Sequence, residues 1–305
     1  MTDERVELFR TCIEEFGAAV DETIIAAGGW DPVPGSQGAL ELAAQGPFLG
    51  GRSTEPVRDA HSLAGLRLAL ATEHLAALSR LLSDPPATFA AATVARAVLE
   101  NAARGSWALD PAIDVKRRIA RGRTDQINDM LDVLKYPRPI EPTQADDEDA
   151  AHFAQRVAEF EAFTAQFDKA AHKLADKLAD TEAIGLKVIP GKRGRFLGVE
   201  ERSPGYAETI RLEFGDKGAS AYRNLSGVTH GGLSSVLHRM EPVEAGSTIM
   251  RPTQDLGQQL VYLAAALDGL SDAQRRRATL FGWDPSIIHA WIVRSAPLLL
   301  RIFRP

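Results

Sequence analysis

Between Asp146 and Leu178 the positions Phe153, Val157, Phe160, Thr164, Phe167, Ala171, Leu174 and Leu178 recur at alternating spacings of four and three. Only an α-helix returns such positions to one side, because about 3.6 residues complete a turn. The spacing therefore predicts one long helix whose stripe needs helical neighbours to cover it. The seam is too aromatic and too rich in alanine for a free coiled coil, and a homodimer through it stays open.

The same periodicity fills most of the chain. Glu4–Ala27, His61–Leu82, Ala87–Leu109, Asp114–Lys135, Tyr206–Phe214, Ala219–His238, Thr253–Leu270, Asp272–Phe281 and Pro285–Phe303 all carry helical patterns. The expected fold class is all-α, a multi-helix bundle of about nine helices. One short irregular or hairpin insertion near 184–204 interrupts it, where Gly185, Pro190, Gly191, Gly194 and Gly198 alternate with Leu186, Val188, Phe196 and Val199. Residues 1–57 read as an N-terminal helix and a wrapping loop with a helical piece at Ala39–Ala44, and 58–305 as the bundle domain. A linker is expected at about 136–145, and Glu241–Arg251 reads as a loop.

Composition narrows the classes. With 45% hydrophobic and 25% charged residues the chain has the make-up of a soluble globular protein. A formal charge of −6 argues against a broadly basic nucleic-acid surface but is compatible with a local patch. The single cysteine, Cys12, forms no intrachain disulfide, and no Cys/His cluster is spaced to hold zinc. There is no signal-peptide order at the N-terminus and no run near the roughly 18 apolar residues of a membrane span, so a cytoplasmic protein without membrane contact is expected. ExxH, HExxH, P-loop and GxGxxG patterns are missing, and no cofactor is expected.

Polar groups interrupt several stripes. In His61–Leu82, the stripe Leu63, Arg67, Leu70, His74, Ala77 and Leu81 places Arg67 and His74 among apolar residues. In Ala87–Leu109, the stripe Phe89, Thr93, Arg96, Glu100 and Trp107 holds a pair four residues apart, either a structural ion pair or a pair that orients a catalytic group or holds an anion. The cluster Lys116, Arg117, Arg118, Arg121 and Arg123 reads as a solvated face. The tryptophans Trp30, Trp107, Trp283 and Trp291 read as core anchors. The densest chemistry lies in Ala219–His238, where Arg223, Ser226, Gly227 and His230 share one helical face next to Tyr222. Gly231 and Gly232 then either allow close packing or break the helix and leave His230 at its C-terminal end.

Arg223-Asn224 followed by His230 resembles the motif of the HEPN superfamily, in which an arginine and a polar residue are followed by a histidine after four to six intervening residues. Many members of that all-helical superfamily are metal-independent ribonucleases, and others bind nucleotides or are inactive. The resemblance implies that Arg223 contacts the scissile phosphate, that His230 is acid or base on the 2′-hydroxyl, and that Asn224 positions the backbone. Arg96 and Glu100 match the polar pair often found facing such a motif. The catalytic candidates are thus Arg223, His230, Asn224 and Glu100, with Arg96, Ser226, His74 and Tyr222 for substrate. Two further expectations stand beside an RNA-directed toxin or defence factor. One is a small-molecule enzyme or ligand sensor using the same polar cleft, and the other is an interaction protein in which the Arg/Glu/His set is a satisfied core network.

Overall fold

The computed structural model describes residues 4–50, 55–82, 87–135, 141–143, 149–191, 195–230, 240–244, 250–252 and 257–303. Among them the chain forms α1 (Glu4–Ala26), α2 (Gln37–Ala43), α3 (Pro56–Leu81), α4 (Thr88–Ala108), α5 (Val115–Leu134), α6 (Ala150–Ala183), α7 (Tyr206–Thr229), α8 (Gly257–Phe281) and α9 (Ser286–Phe303). Two short antiparallel ladders accompany them, β1 (Val188–Pro190) with β2 (Phe196–Val199) and β3 (Met240–Pro242) with β4 (Met250–Pro252). The all-α expectation holds, and no described helix is long and apolar enough to cross a membrane. The chain divides into two compact units, residues 1–44, 61–114 and 204–305, and residues 45–60 and 115–203.

In the first unit, α4 packs against both α7 and α8, and α1 against α9. The buried face of α4 consists largely of Ala91, Ala92, Ala95, Ala102 and Ala103. Alanine brings no side-chain bulk and costs no rotamer entropy, so neighbouring helices can approach closely. At Gly105 even a Cβ would come within 2.6 Å of Leu68. Phe16 and Trp291 close the α1–α9 side with ring centroids 4.8 Å apart.

The buried stripe of α3 is Ala64, Leu68, Ala71, Leu75 and Leu78, continued by Leu82 just past the helix end. This corrects the predicted stripe of Leu63, Arg67, Leu70, His74, Ala77 and Leu81, none of which is fully buried. The two stripes have the same spacing one residue apart. The one that turns inward carries no charge, which avoids the cost of desolvating Arg67 and His74.

Helix α7 is kinked at Gly215, whose φ of 67° and ψ of −164° lie outside the helical region and divide it into two limbs. The expected short helix Tyr206–Phe214 is thus the first limb of α7. The second limb ends with His230 as its C-cap, while Gly231, Gly232 and His238 lie outside the described residues. Glu241–Arg251 was expected to be a loop, but its ends pair as β3 and β4, with Glu241 opposite Arg251. The two helices expected on either side of Ser271 are one, α8, in which the buried Ser271 hydroxyl bonds to the Asp268 carbonyl at 2.8 Å.

In the second unit α5 packs on α6 and on β2. The basic cluster of α5 is not the solvated face its spacing suggested. Lys116 and Arg117 are exposed, but Arg118, Arg121 and Arg123 are only 0%, 7% and 2% accessible. Buried guanidinium groups require acceptors. Arg121 Nε donates to Glu201 at 2.6 Å, Arg117 also binds Glu201, and Arg123 pairs with Asp180 at 3.0 Å. The hairpin that supplies Glu201 is fixed by the Val199 amide, which donates to Thr124 at 3.0 Å. The seam of α6 from Phe153 to Leu178 lies on one side as predicted, yet each of its members is only half-buried. The expected helix start at Asp146 and most of the expected linker lie outside the described residues.

Burial opposes ionisation of Glu201, but Arg117 and Arg121 outweigh it and hold its carboxyl below the ordinary 4.5. A depressed carboxyl contributes stability that is present above 4.5 and lost as pH falls through the lowered value. Acidification through that range is expected to raise amide hydrogen exchange in α5, and Glu201→Gln should show the raised exchange already at neutral pH. Identical exchange in the variant and the parent would contradict this.

Candidate functional site

The contact of α4 with α7 sets four polar side chains facing one another. Arg96 and Glu100 are one turn apart on α4, and Arg96 Nε donates to Glu100 Oε1 at 2.8 Å. The same oxygen accepts the Tyr222 hydroxyl from α7 at 3.0 Å. Arg96 Nη1 lies 2.9 Å from His230 Nε2, and Arg96 Nη2 donates a longer bond of 3.5 Å to the Tyr222 oxygen. The guanidinium carbon sits 5.5 Å from the centre of the Tyr222 ring. Arg96 thus uses three nitrogens on three partners, which suits its planar fork of donors.

Two physical consequences follow from that geometry. A guanidinium can only donate, so a hydrogen bond from Arg96 Nη1 uses the Nε2 lone pair of His230. His230 is exposed at the C-terminal end of α7, whereas Tyr222 is buried and Arg96 and Glu100 are half-buried. The network therefore runs from the protein interior to an imidazole in water. Burial works against the charge of Arg96, but Glu100 and Tyr222 outweigh it and raise its pKa. Tyr222 is pushed up by burial first and by the adjacent Glu100 carboxylate second, so the phenol keeps its proton at high pH.

The remaining sequence candidates lie outside this network. Arg223 is exposed on α7 and makes no hydrogen bond or ion pair among the described residues. It lies seven residues before His230, so the two share a side of the helix about 10 Å apart along its axis. Asn224 is half-buried and has a partner of its own, and Ser226 contributes its carbonyl, which accepts the His230 amide at 3.0 Å. His74 is half-buried on α3 and makes none of the network bonds. Among the described residues no three His, Cys, Asp or Glu side chains cluster as a metal site requires.

Sequence reasoning missed a second concentration of charge. Of the four tryptophans taken as core anchors, Trp107, Trp283 and Trp291 are buried but Trp30 is 55% exposed and stands over buried Arg277. No spacing signal could have joined residues so far apart in the chain. Comparison with known protein families, curated proteins and solved structures finds no match to this chain.

The Tyr222–Glu100 contact can be read in solution. Glu100→Gln removes a negative charge that opposes the tyrosinate, so Tyr222 should ionise closer to its ordinary value of 10. Ultraviolet difference titration, with Tyr222→Phe identifying the contribution of this tyrosine, is expected to show that downward shift. An unchanged curve would mean that the carboxylate does not act on the phenol.

Proposed function

We propose that this chain is a HEPN-like, metal-independent ribonuclease acting in the cytoplasm, with His230 as the proton-transferring residue and Arg223 and Arg96 as phosphate ligands. One observation carries the reading: an exposed imidazole lies with its Nε2 2.9 Å from a guanidinium nitrogen. A neutral histidine can remove a proton, and an arginine is the natural ligand of a phosphate. RNA supplies its own nucleophile in the 2′-hydroxyl, so the protein need not provide one. A phosphate arriving at this surface competes for Arg96 and releases the Nε2 lone pair. His230 then takes the 2′-hydroxyl proton as the 2′-oxygen bonds to phosphorus. The P–O5′ bond breaks, the departing 5′-oxygen takes a proton from solvent water, and a 2′,3′-cyclic phosphate remains. Arg223, exposed on the same side of α7, supplies a second cation for the strand. Exposure of both Arg223 and His230 favours a polymeric substrate at an open surface over a small molecule in a closed chamber. These cations meet the local need for positive potential in a chain whose formal charge is −6.

The purified full-length chain is expected to cleave RNA in the presence of a chelator, to leave 2′,3′-cyclic phosphate ends, and to spare a 2′-deoxy substitution at the cut position. His230→Ala should slow cleavage by about 10²–10⁴-fold with unchanged circular dichroism. Cleavage that persists in His230→Ala would sink the assignment. A second reading is favoured by the mutual hydrogen bonding of Arg96, Glu100 and Tyr222, which is also how a purely structural network looks. On that reading Arg96→Ala costs about 1–3 kcal/mol of stability and the parent chain has no nuclease activity to lose.

A further inference from the structure

The buried residues of α5 fall between Arg118 and Ile127, and none beyond Ile127 is buried. Over that last part of α5 the two helices of the second unit enclose a groove of about 400 Å³ with a mainly apolar lining. Met130 and Val133 stand one turn apart on α5, and Ala170, Lys173 and Lys177 follow one face of α6 at spacings of three and four. Ala170 offers only a methyl group across from Met130 and Val133, which is where the room comes from. The groove stays open to solvent on the α5 side, where Val133 is 49% exposed.

The charges along this groove are not balanced. Lys173 is exposed and Lys177 half-buried, and among the described residues neither ammonium has an ion pair. The other charged and polar groups nearby are engaged. Arg123 pairs with Asp180 at 3.0 Å and donates to the Gln126 side-chain oxygen at 3.2 Å, and exposed Asp129 has a partner of its own. Burial comes first and the Arg123 charge second in drawing the Lys177 pKa below its ordinary 10.5, and Asp59 and Asp180 do not make up the difference. A lysine that only laid its stem on apolar surface would keep its head in water and its ordinary pKa. Lys177 instead holds a partly desolvated cation, whose cost an anion beside it offsets.

We propose that the α5–α6 groove binds a single-chain alkyl carboxylate, with its head at Lys173 and Lys177 and its tail along Met130, Val133 and Ala170. An apolar trough with unpaired cations on one wall matches a molecule that is itself apolar except at one charged end. A monoanion is specified because the lining sets two lysines against one aspartate, which leaves a single net positive charge. A flexible chain is specified because the trough is open along its side, so a ligand is laid in and not threaded into an enclosed chamber. The site lies in the second unit, and its test does not depend on the nuclease reading of Arg96 and His230.

The experiment is a titration of the full chain, labelled with ¹³C on its methionine methyl groups, with monomeric octanoate at constant ionic strength. The chain has four methionines, and the Met130 signal, identified by its loss in Met130→Leu, is expected to move saturably. Half-saturation is expected in about the millimolar range or tighter, with octanol at least about tenfold weaker and octylamine without effect. From hexanoate to decanoate each added CH₂ should tighten binding by up to about fourfold. Lys177→Met, which keeps the apolar stem, should weaken octanoate by about tenfold. Val133→Asp, altered at an exposed position, should abolish binding by placing a carboxylate in the trough. A Met130 signal that does not respond, octanol bound as tightly as octanoate, unchanged affinity in both variants, or a response to anionic phospholipid vesicles in place of octanoate would each overturn the proposal.

Discussion

The close approach that α4 permits is the constraint from which the candidate site follows. Its alanines let α7 and α8 pack against one helix, and the edge of that contact is where Arg96 and Glu100 meet Tyr222 and His230. Bulkier residues on α4 would hold α7 too far away for bonds of about 3 Å, which are the range in which side-chain hydrogen bonds act. Packing in the apolar part of the interface thus determines electrostatics at its margin. Glu100 is the hub of that margin, since one of its oxygens serves both a guanidinium and a phenol.

Arginine is the recurring structural device of the protein. In the second unit Glu201 ties two arginines of α5 to the segment after β2, and Asp180 near the end of α6 receives a third. These pairs make a helix with little apolar surface buriable, because the desolvated charges are matched. In the first unit Arg96 is matched by oxygen, while Arg104 lies against the Trp107 and Tyr206 rings and Arg277 against those of Trp30, Phe281 and Trp283.

Helix positions were legible wherever apolar spacing was regular. The α6 seam, α1, the short α2 and the 184–204 hairpin all follow from local pattern. The inward side of α3 was not legible in the same way, since two stripes with identical spacing compete and only tertiary packing selects Ala64 and Leu68 over Leu63 and Arg67. The burial of Arg118, Arg121 and Arg123 was equally hidden, because acceptors such as Glu201 lie some eighty residues further along the chain. At the candidate site the α4 pair was visible as an i, i+4 relation. Its junction with His230 spans 134 residues and depends on how α4 meets α7, so the sequence pointed to Arg223 as the guanidinium next to the imidazole where the structure has Arg96.

The burial pattern of the second limb of α7 bears on how its His230 end fluctuates. Unwinding that starts at His230 meets the buried Val228 within two residues and Leu225 a turn further in, and releasing them would expose apolar surface to water. Fraying is therefore shallow: the exposed imidazole can reorient at the cap, while Tyr222 stays seated against α4.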